Sequence, residues 1–362
     1  MSEEINRIEE QTFTSSPTEE NDNDYLGVNW NNIEDMMDLI TFDTLVSQFW
    51  TSTRIPVSND IQNWDNLDNA TKEVVNRCFA ELTTLDTLQS REGAESLIFS
   101  ALTPHEEDVL NNIRFMESIH ARSYSTIFTT FNTKEEVDEI FKWAKENPIV
   151  QKKIKLINDA YKTRDPLKCR VASVFLETFL FYSGFYVPLK LQDKLKSVLE
   201  IIKLIIRDES LHGAYIGYKF SLRFEKLSLE EQEDLKAWIY ELLFNLYEVE
   251  CEFIEEVYDE IGWTEDVKIF AQYNANKALH NLKLPSIFET TEADVNPVVM
   301  AGLKSETGNH DFFSQEGDGY LIGKAEVNKE TDYENYLDIE SLKAHWIQEM
   351  KEENELETYY ID

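Results

Sequence analysis

Residues 171–185, VASVFLETFLFYSGF, place one carboxylate, Glu177, inside an apolar run that holds no basic residue. Burying an unpaired carboxylate is costly, so the run calls for a cation or a metal ion brought to Glu177 from elsewhere. Glu209 follows Glu177 by 32 residues and forms an ExxH pair with His212. The same arrangement occurs upstream. Asp86, in the apolar setting LTTLDTLQ, precedes Glu117 by 31 residues, and Glu117 pairs with His120 in a second ExxH. One ExxH pair carries little, because both residues are common on helices. Two pairs, each preceded by an acid at nearly the same distance, form an internal repeat.

That distance has a geometric meaning. On antiparallel helices joined by a short turn, residues about 31 apart stand at one height, each roughly four turns from the loop. Two such hairpins packed together bring four carboxylates and two imidazoles to one level of a bundle core. Dinuclear carboxylate sites are built this way, with an acid from each of two helices and ExxH from the other two. Bridging carboxylates screen the repulsion between two divalent ions, and the imidazoles fix their geometry. The expected ligands are Asp86, Glu117, His120, Glu177, Glu209 and His212. The competing reading, a structural ion-pair cluster, lacks a base in the Glu177 run.

Tyr124 lies four residues after His120, on the same helix face and one turn away. Core packing is the ordinary fate of such a tyrosine. Phe181 and Phe185 follow Glu177 by four and eight residues, and Ile205 precedes Glu209 by four, so the same level is expected to be wrapped in hydrocarbon. A dry pocket is what a long-lived phenoxyl radical requires.

The rest of the chain fits an all-α fold. Only 11 Gly and 8 Pro occur in 362 residues, which suits long helices better than many strands. Apolar residues recur at three and four over about 33–50, 68–90, 105–131, 134–146, 166–186, 192–223, 229–260 and 264–282. Thr103-Pro104, Thr133 and Ser228 read as helix starts. The expected organisation is an acidic, disordered segment 1–27, a helical domain 28–290 and a flexible acidic tail 291–362.

The formal net charge is −36, which repels nucleic acid and anionic membrane, so neither is expected as a partner. No apolar run is expected to span a bilayer, and the acidic start MSEEINRIEEQ is unlike a signal peptide. Cys78, Cys169 and Cys251 lie far apart, as buried thiols of a reducing, cytoplasmic compartment would. The run YEVECEFIEEVYDE, residues 247–260, reads as one solvated helix face.

In order and spacing, several stretches resemble the small (β) subunit of class I ribonucleotide reductases, most closely the class Ib branch. They are FWTSTRIPVSNDIQNW, LTTLDTLQ, MESIHARSYSTIF, VASVFLETFLFYSGFYVPLKL, RDESLHGAYIGYK, YNANKALHNL and VNPVVMAGL with HDFF and GYLIGK beyond it. Together they span about residues 28–325. The resemblance implies a ferritin-like helical bundle working as a homodimer. It places Asp86, Glu117 and His120 on one metal and Glu177, Glu209 and His212 on the other, some glutamates bridging. It makes Tyr124 the radical-bearing tyrosine. Trp50, with His120 and Asp208, matches the radical-transfer path, which Tyr320 of the tail continues. Further implications are two manganese or two iron ions per subunit, a large (α) subunit performing the nucleotide chemistry, and a flavodoxin-like activating protein for a manganese form.

The chain departs from the family pattern in two places. Glu81 and Thr84 stand where Gly and Leu are expected, which points to altered packing beside Asp86. After GYLIGKAE the chain continues to ELETYYID, and Ile339, Leu342, Trp346 and Met350 form a short apolar stripe. That stripe reads either as a marginal helix or as a docking peptide for the large subunit. Two other functions compete: a ferritin-like iron store without a radical, and a dimetal oxidase acting on its own small substrate. The first has no use for Tyr124 and a relay-like tail, and the second needs an open cavity.

Overall fold

A computed structural model of the protein describes residues 27–304. Among them the regular structure is helical, with no strand. In chain order the helices are α1 (Met36–Ser47), α2 (Ile61–Asp65), α3 (Asn69–Leu88), α4 (Ala94–Phe99), α5 (Pro104–Phe131), α6 (Lys134–Glu146) and α7 (Pro148–Lys162). They continue with α8 (Pro166–Phe175), α9 (Phe181–Lys190), α10 (Lys196–Phe224), α11 (Leu229–Tyr258), α12 (Thr264–Asn281) and α13 (Pro297–Lys304). The N-terminal acidic segment, Tyr320 and the stripe at 339–350 lie outside the described residues.

The expected helix starts are capped as read. Thr103 accepts from the Glu106 N–H with Pro104 at the first helical position, and Thr133 and Ser228 form capping boxes with Glu136 and Glu231. Such a cap contributes about 1 kcal/mol. α7 is an element the periodicity reading passed over. Its signal is Asn147, whose side chain accepts from the Ile149 and Val150 N–H groups ahead of Pro148.

Two long hairpins form the centre. α3 runs through a π-helical turn, Gln89–Gly93, into α4, and α5 returns alongside α3. α8 runs through a second π turn, Leu176–Leu180, into α9, and α10 returns alongside α8. The hairpins match in register. Asp86 stands 13 residues before Phe99 and Glu117 stands 13 after Pro104. Glu177 stands 13 before Lys190 and Glu209 13 after Lys196. At about 1.5 Å per residue, each acid sits roughly 20 Å from its loop, which puts all four at one level.

The stretch Pro166–Lys190 is long and apolar enough to cross a membrane, contrary to the expectation that no run is, but it is wholly buried inside the bundle. Core burial accounts for its composition. The 247–260 run also departs from expectation: Glu250 points inward and is fully buried, held by Lys153 and Ser183. Cys78, Cys169 and Cys251 are free thiols, Cys251 only partly buried.

Candidate metal centre

The two hairpins bring Asp86, Glu117, His120, Glu177, Glu209 and His212 together in the core, none more than 1 % exposed. One atom each from Asp86, Glu117, His120 and Glu209 lies within 4.8 Å of the others, and so do atoms of Glu117, Glu177, Glu209 and His212. Glu117 and Glu209 belong to both groups, which is where bridging carboxylates between two ions would stand.

The donor atoms fit metal ions better than they fit one another. His120 Nδ1 lies 2.8 Å from Glu209 Oε1, and His212 Nδ1 lies 2.8 Å from Glu117 Oε1. Neither approach has the angles of a hydrogen bond. Both oxygens of Asp86, Glu117 and Glu209, Oε2 of Glu177 and Nδ1 of both histidines have no hydrogen-bond partner. Buried polar atoms are rarely left so. Carboxylates only accept, so lone pairs gathered in this way call for cations. Four carboxylates balance two divalent ions, an all-oxygen-and-nitrogen set suited to manganese or iron.

Burial and the neighbouring carboxylates push Asp86 and Glu177 well above the usual carboxylate range. Burial opposes a charged His120, yet Asp208, Glu117 and Glu209 raise it well above an ordinary histidine, and Glu117, Glu177 and Glu209 do the same for His212. Burial likewise works against an ionised Glu209, yet Glu177 and the two histidines hold it low. Protons therefore accumulate in the cage when no metal is there, and a metal ion would take their place.

The surroundings orient the cage. Gln89, the first residue of the π turn after Asp86, donates from Nε2 to Glu177 Oε1 at 2.5 Å. Gln89 Oε1 in turn accepts from the Tyr161 hydroxyl at 2.5 Å, and that hydroxyl lies 3.1 Å from Ser173 Oγ. π turns recur at functional sites; here one carries Glu177 itself and the other Gln89. Such outer contacts fix the ligands they touch. Gln89 went unremarked within LTTLDTLQ, although its place after the acid was the available signal.

His120 Nε2 faces away from the cage and donates to Asp208 Oδ2 at 3.1 Å, which leaves Nδ1 for a metal. The same oxygen accepts from Trp50 Nε1 at 2.6 Å, and the Trp50 ring stacks on His120 with centroids 5.8 Å apart. Arg207 holds the other oxygen, Oδ1, at 2.9 Å and donates to the Gln48 carbonyl. Trp50, Asp208 and His120 thus make an unbroken line from near the surface loop 48–56 to the cage.

Tyr124 is fully buried one turn beyond His120, and its hydroxyl has no hydrogen-bond partner. Burial pushes its ionisation well up, with Asp86, Glu209 and Glu117 adding to the effect. The ring packed against it is Phe79, centroids 5.4 Å apart, a neighbour the spacing argument did not single out. Phe181, Phe185 and Ile205 are fully buried as expected.

A helical bundle whose core gathers two ExxH pairs and two further acids defines a dinuclear carboxylate protein. The family model described as ribonucleotide reductase, small chain, matches residues 27–297. The chain belongs to that family. It is 48% identical over 310 residues to the ribonucleoside-diphosphate reductase subunit beta nrdF2 of Mycobacterium tuberculosis, covering 85% of this chain and 96% of that protein. It is 47% identical over 309 residues to the ribonucleoside-diphosphate reductase 2 subunit beta of Escherichia coli, covering 84% and 97%. Among solved structures, the crystal structure of dimanganese(II)-NrdF from Streptococcus sanguinis is similar at a TM-score of 0.76 and 55% identity, covering 77% of this chain and 99% of that one.

Proposed function

We propose that this chain is the β subunit of a class Ib ribonucleoside-diphosphate reductase, which generates a tyrosyl radical and lends it to a large subunit for reducing ribonucleotides to deoxyribonucleotides. The observation that carries the reading is the hydrogen-bonded line from Trp50 through Asp208 to His120, ending on a cage beside a dry tyrosine.

Asp86, Glu117 and His120 would hold one ion and Glu177, Glu209 and His212 the other, Glu117 and Glu209 belonging to both groups of candidate ligands. Once oxidised, the bound manganese or iron pair supplies the one-electron oxidant. Tyr124 gives up an electron to that oxidant and its phenolic proton to the carboxylate cage, where both Asp86 oxygens are unpartnered and Asp86 is the carboxylate acting most strongly on the hydroxyl, and it keeps the oxidising equivalent as a neutral phenoxyl. Its hydroxyl is fully buried and makes no hydrogen bond, which keeps bulk water and reductants away from it. Trp50 and Asp208, with Arg207 fixing the carboxylate, pass the equivalent outward, and Tyr320 of the tail carries it on to a cysteine of the large subunit.

The working assembly is a homodimer engaging the large subunit. A flavodoxin-like protein activates the manganese form, and the setting is the cytoplasm, which suits the three free thiols.

Electron paramagnetic resonance tests the reading. Protein loaded with manganese or iron and then oxidised gives a tyrosyl signal, and Tyr124→Phe abolishes it while leaving metal uptake intact. Metal uptake without that signal under either activation route removes the radical function.

A further inference from the structure

Away from the cage, six side chains on four helices close a ring of polar contacts. Lys153 of α7 forms ion pairs with Glu81 of α3 and, at 2.5 Å, with Glu250 of α11. Ser183 of α9 donates its hydroxyl to Glu250. Tyr258 of α11 donates to the Ser183 carbonyl at 2.5 Å, and the Cys78 thiol of α3 donates to the Tyr258 hydroxyl at 3.1 Å. The circuit leaves α3 at Glu81 and returns to it at Cys78, one turn earlier. All six residues are fully buried.

Stability alone does not account for such a ring. Buried ion pairs are often matched or bettered by apolar residues of similar volume, because desolvation offsets their attraction. What the ring does is hold a particular stretch of backbone. Cys78 and Glu81 bracket Phe79, the ring that lies against Tyr124. On α9, Ser183 sits between Phe181 and Phe185, and a Cβ added to its neighbour Gly184 would come within 2.7 Å of Leu82 on α3. The two helices are therefore clamped at close approach on the side of the pocket that Phe79 forms.

Tyr124 depends on that wall. Its hydroxyl has no hydrogen-bond partner, so packing alone sets the rotation of the phenol. We infer that the Cys78–Glu81–Lys153–Glu250–Ser183–Tyr258 ring is a clamp that fixes the orientation of Tyr124 through Phe79, with Glu81, Lys153 and Cys78 as positioning residues for the radical. This rests on the functional reading above. Locked by the clamp, the phenoxyl keeps one conformation and its dry surroundings; with the clamp cut, Phe79 shifts and the ring samples others.

The spectrum of a tyrosyl radical reports that rotation, because splitting by the two β-methylene protons depends on their dihedral angle to the ring. The test compares metal-loaded, oxidised wild type with Glu81→Leu/Lys153→Met, Cys78→Ala and Cys78→Ser. The first two are expected to change the β-proton splitting and shorten the radical half-life about tenfold, equivalent to about 1.4 kcal/mol in barrier, with bound metal unchanged. Cys78→Ser, which keeps a donor to Tyr258, restores the wild-type spectrum. Should the double variant fail to fold, Cys78→Ala decides alone. Wild-type splitting and half-life in both cut variants, with only a lower melting temperature, overturn the clamp. A wild type lacking any signal sensitive to Tyr124→Phe removes the radical reading and the clamp together, which separates the two failures.

Discussion

Trp50 Nε1 donates to Asp208 Oδ2 at 2.6 Å, the same oxygen that accepts from His120 Nε2. One carboxylate oxygen thus joins an indole to a cage imidazole without a gap. Replacing Trp50 by Phe removes the donor and leaves the cage untouched. Trp50→Phe and Asp208→Asn are expected to retain the tyrosyl signal while turnover with the large subunit falls at least about a hundredfold, or about 2.7 kcal/mol in barrier. Parallel measurement of spin content and nucleotide reduction checks this. Loss of both together places these residues in the cage's support and not in transfer.

The membership of Glu117 in both ligand groups sets an order of severity. Asp86→Ala takes a ligand from one ion only and is expected to leave the other bound, whereas Glu117→Ala removes a shared carboxylate and empties both positions. Gln89→Leu spares the ligands but frees Glu177 Oε1, so metal affinity falls by about 10–100-fold, the usual size for an outer contact. Metal analysis after dialysis against a graded chelator ranks the three variants. Equal retention by Asp86→Ala and Glu117→Ala would contradict the shared position.

How much of this could be read beforehand depends on range. The acid-to-ExxH distance encodes hairpin register, and the equal offsets of 13 residues about each loop show why it was legible: helix rise is constant. Caps were legible because Thr133 and Ser228 bond within one turn. Phe79 against Tyr124 and Lys153 between Glu81 and Glu250 were not, since partners 45 to 97 residues apart leave no local pattern. Glu250 shows the cost of that blindness. It alternates with apolar residues like a solvated position and is buried all the same, because Lys153, the cation that pairs with it, sits on α7, the helix the periodicity passed over. Tyr320 and the 339–350 stripe lie outside the described residues.

Burial, opposed by Lys153 and aided by Glu250, raises Glu81 to about 7. A raised carboxylate holds its proton in the folded chain at pH values where the unfolded chain has released it. Its contribution to stability is therefore full below the ordinary glutamate range and is lost as pH rises towards 7. In metal-loaded protein, where the cage does not titrate freely, Glu81→Gln is expected to lose this slope. The difference in unfolding free energy between wild type and variant should change by up to about 1.4 kcal/mol per pH unit between about pH 5 and 7. Urea titrations at half-unit steps read it directly, and parallel stability curves would show that Glu81 stays ionised throughout.

Gly217 of α10 lies so close to the end of α12 that an added Cβ would collide with the Asn281 carbonyl, whose carbon would stand 2.9 Å away. Because the obstacle is backbone, the helices must part. Gly217→Ala is therefore expected to destabilise the fold by about 1–3 kcal/mol, as overpacking does. The displacement also reaches the cage. Asn281 donates from Nδ2 to Thr178 Oγ1 at 3.0 Å, and Thr178 follows Glu177 within the π turn. Moving Asn281 releases that turn, so the variant should lose metal more readily than its drop in stability alone would produce. Gly184→Ala is the control, since the three atoms nearest its added Cβ all belong to the Leu82 side chain and none to backbone. It should lower the urea midpoint with little change in chelator resistance, and matching losses in both variants would remove the Asn281–Thr178 link from the argument.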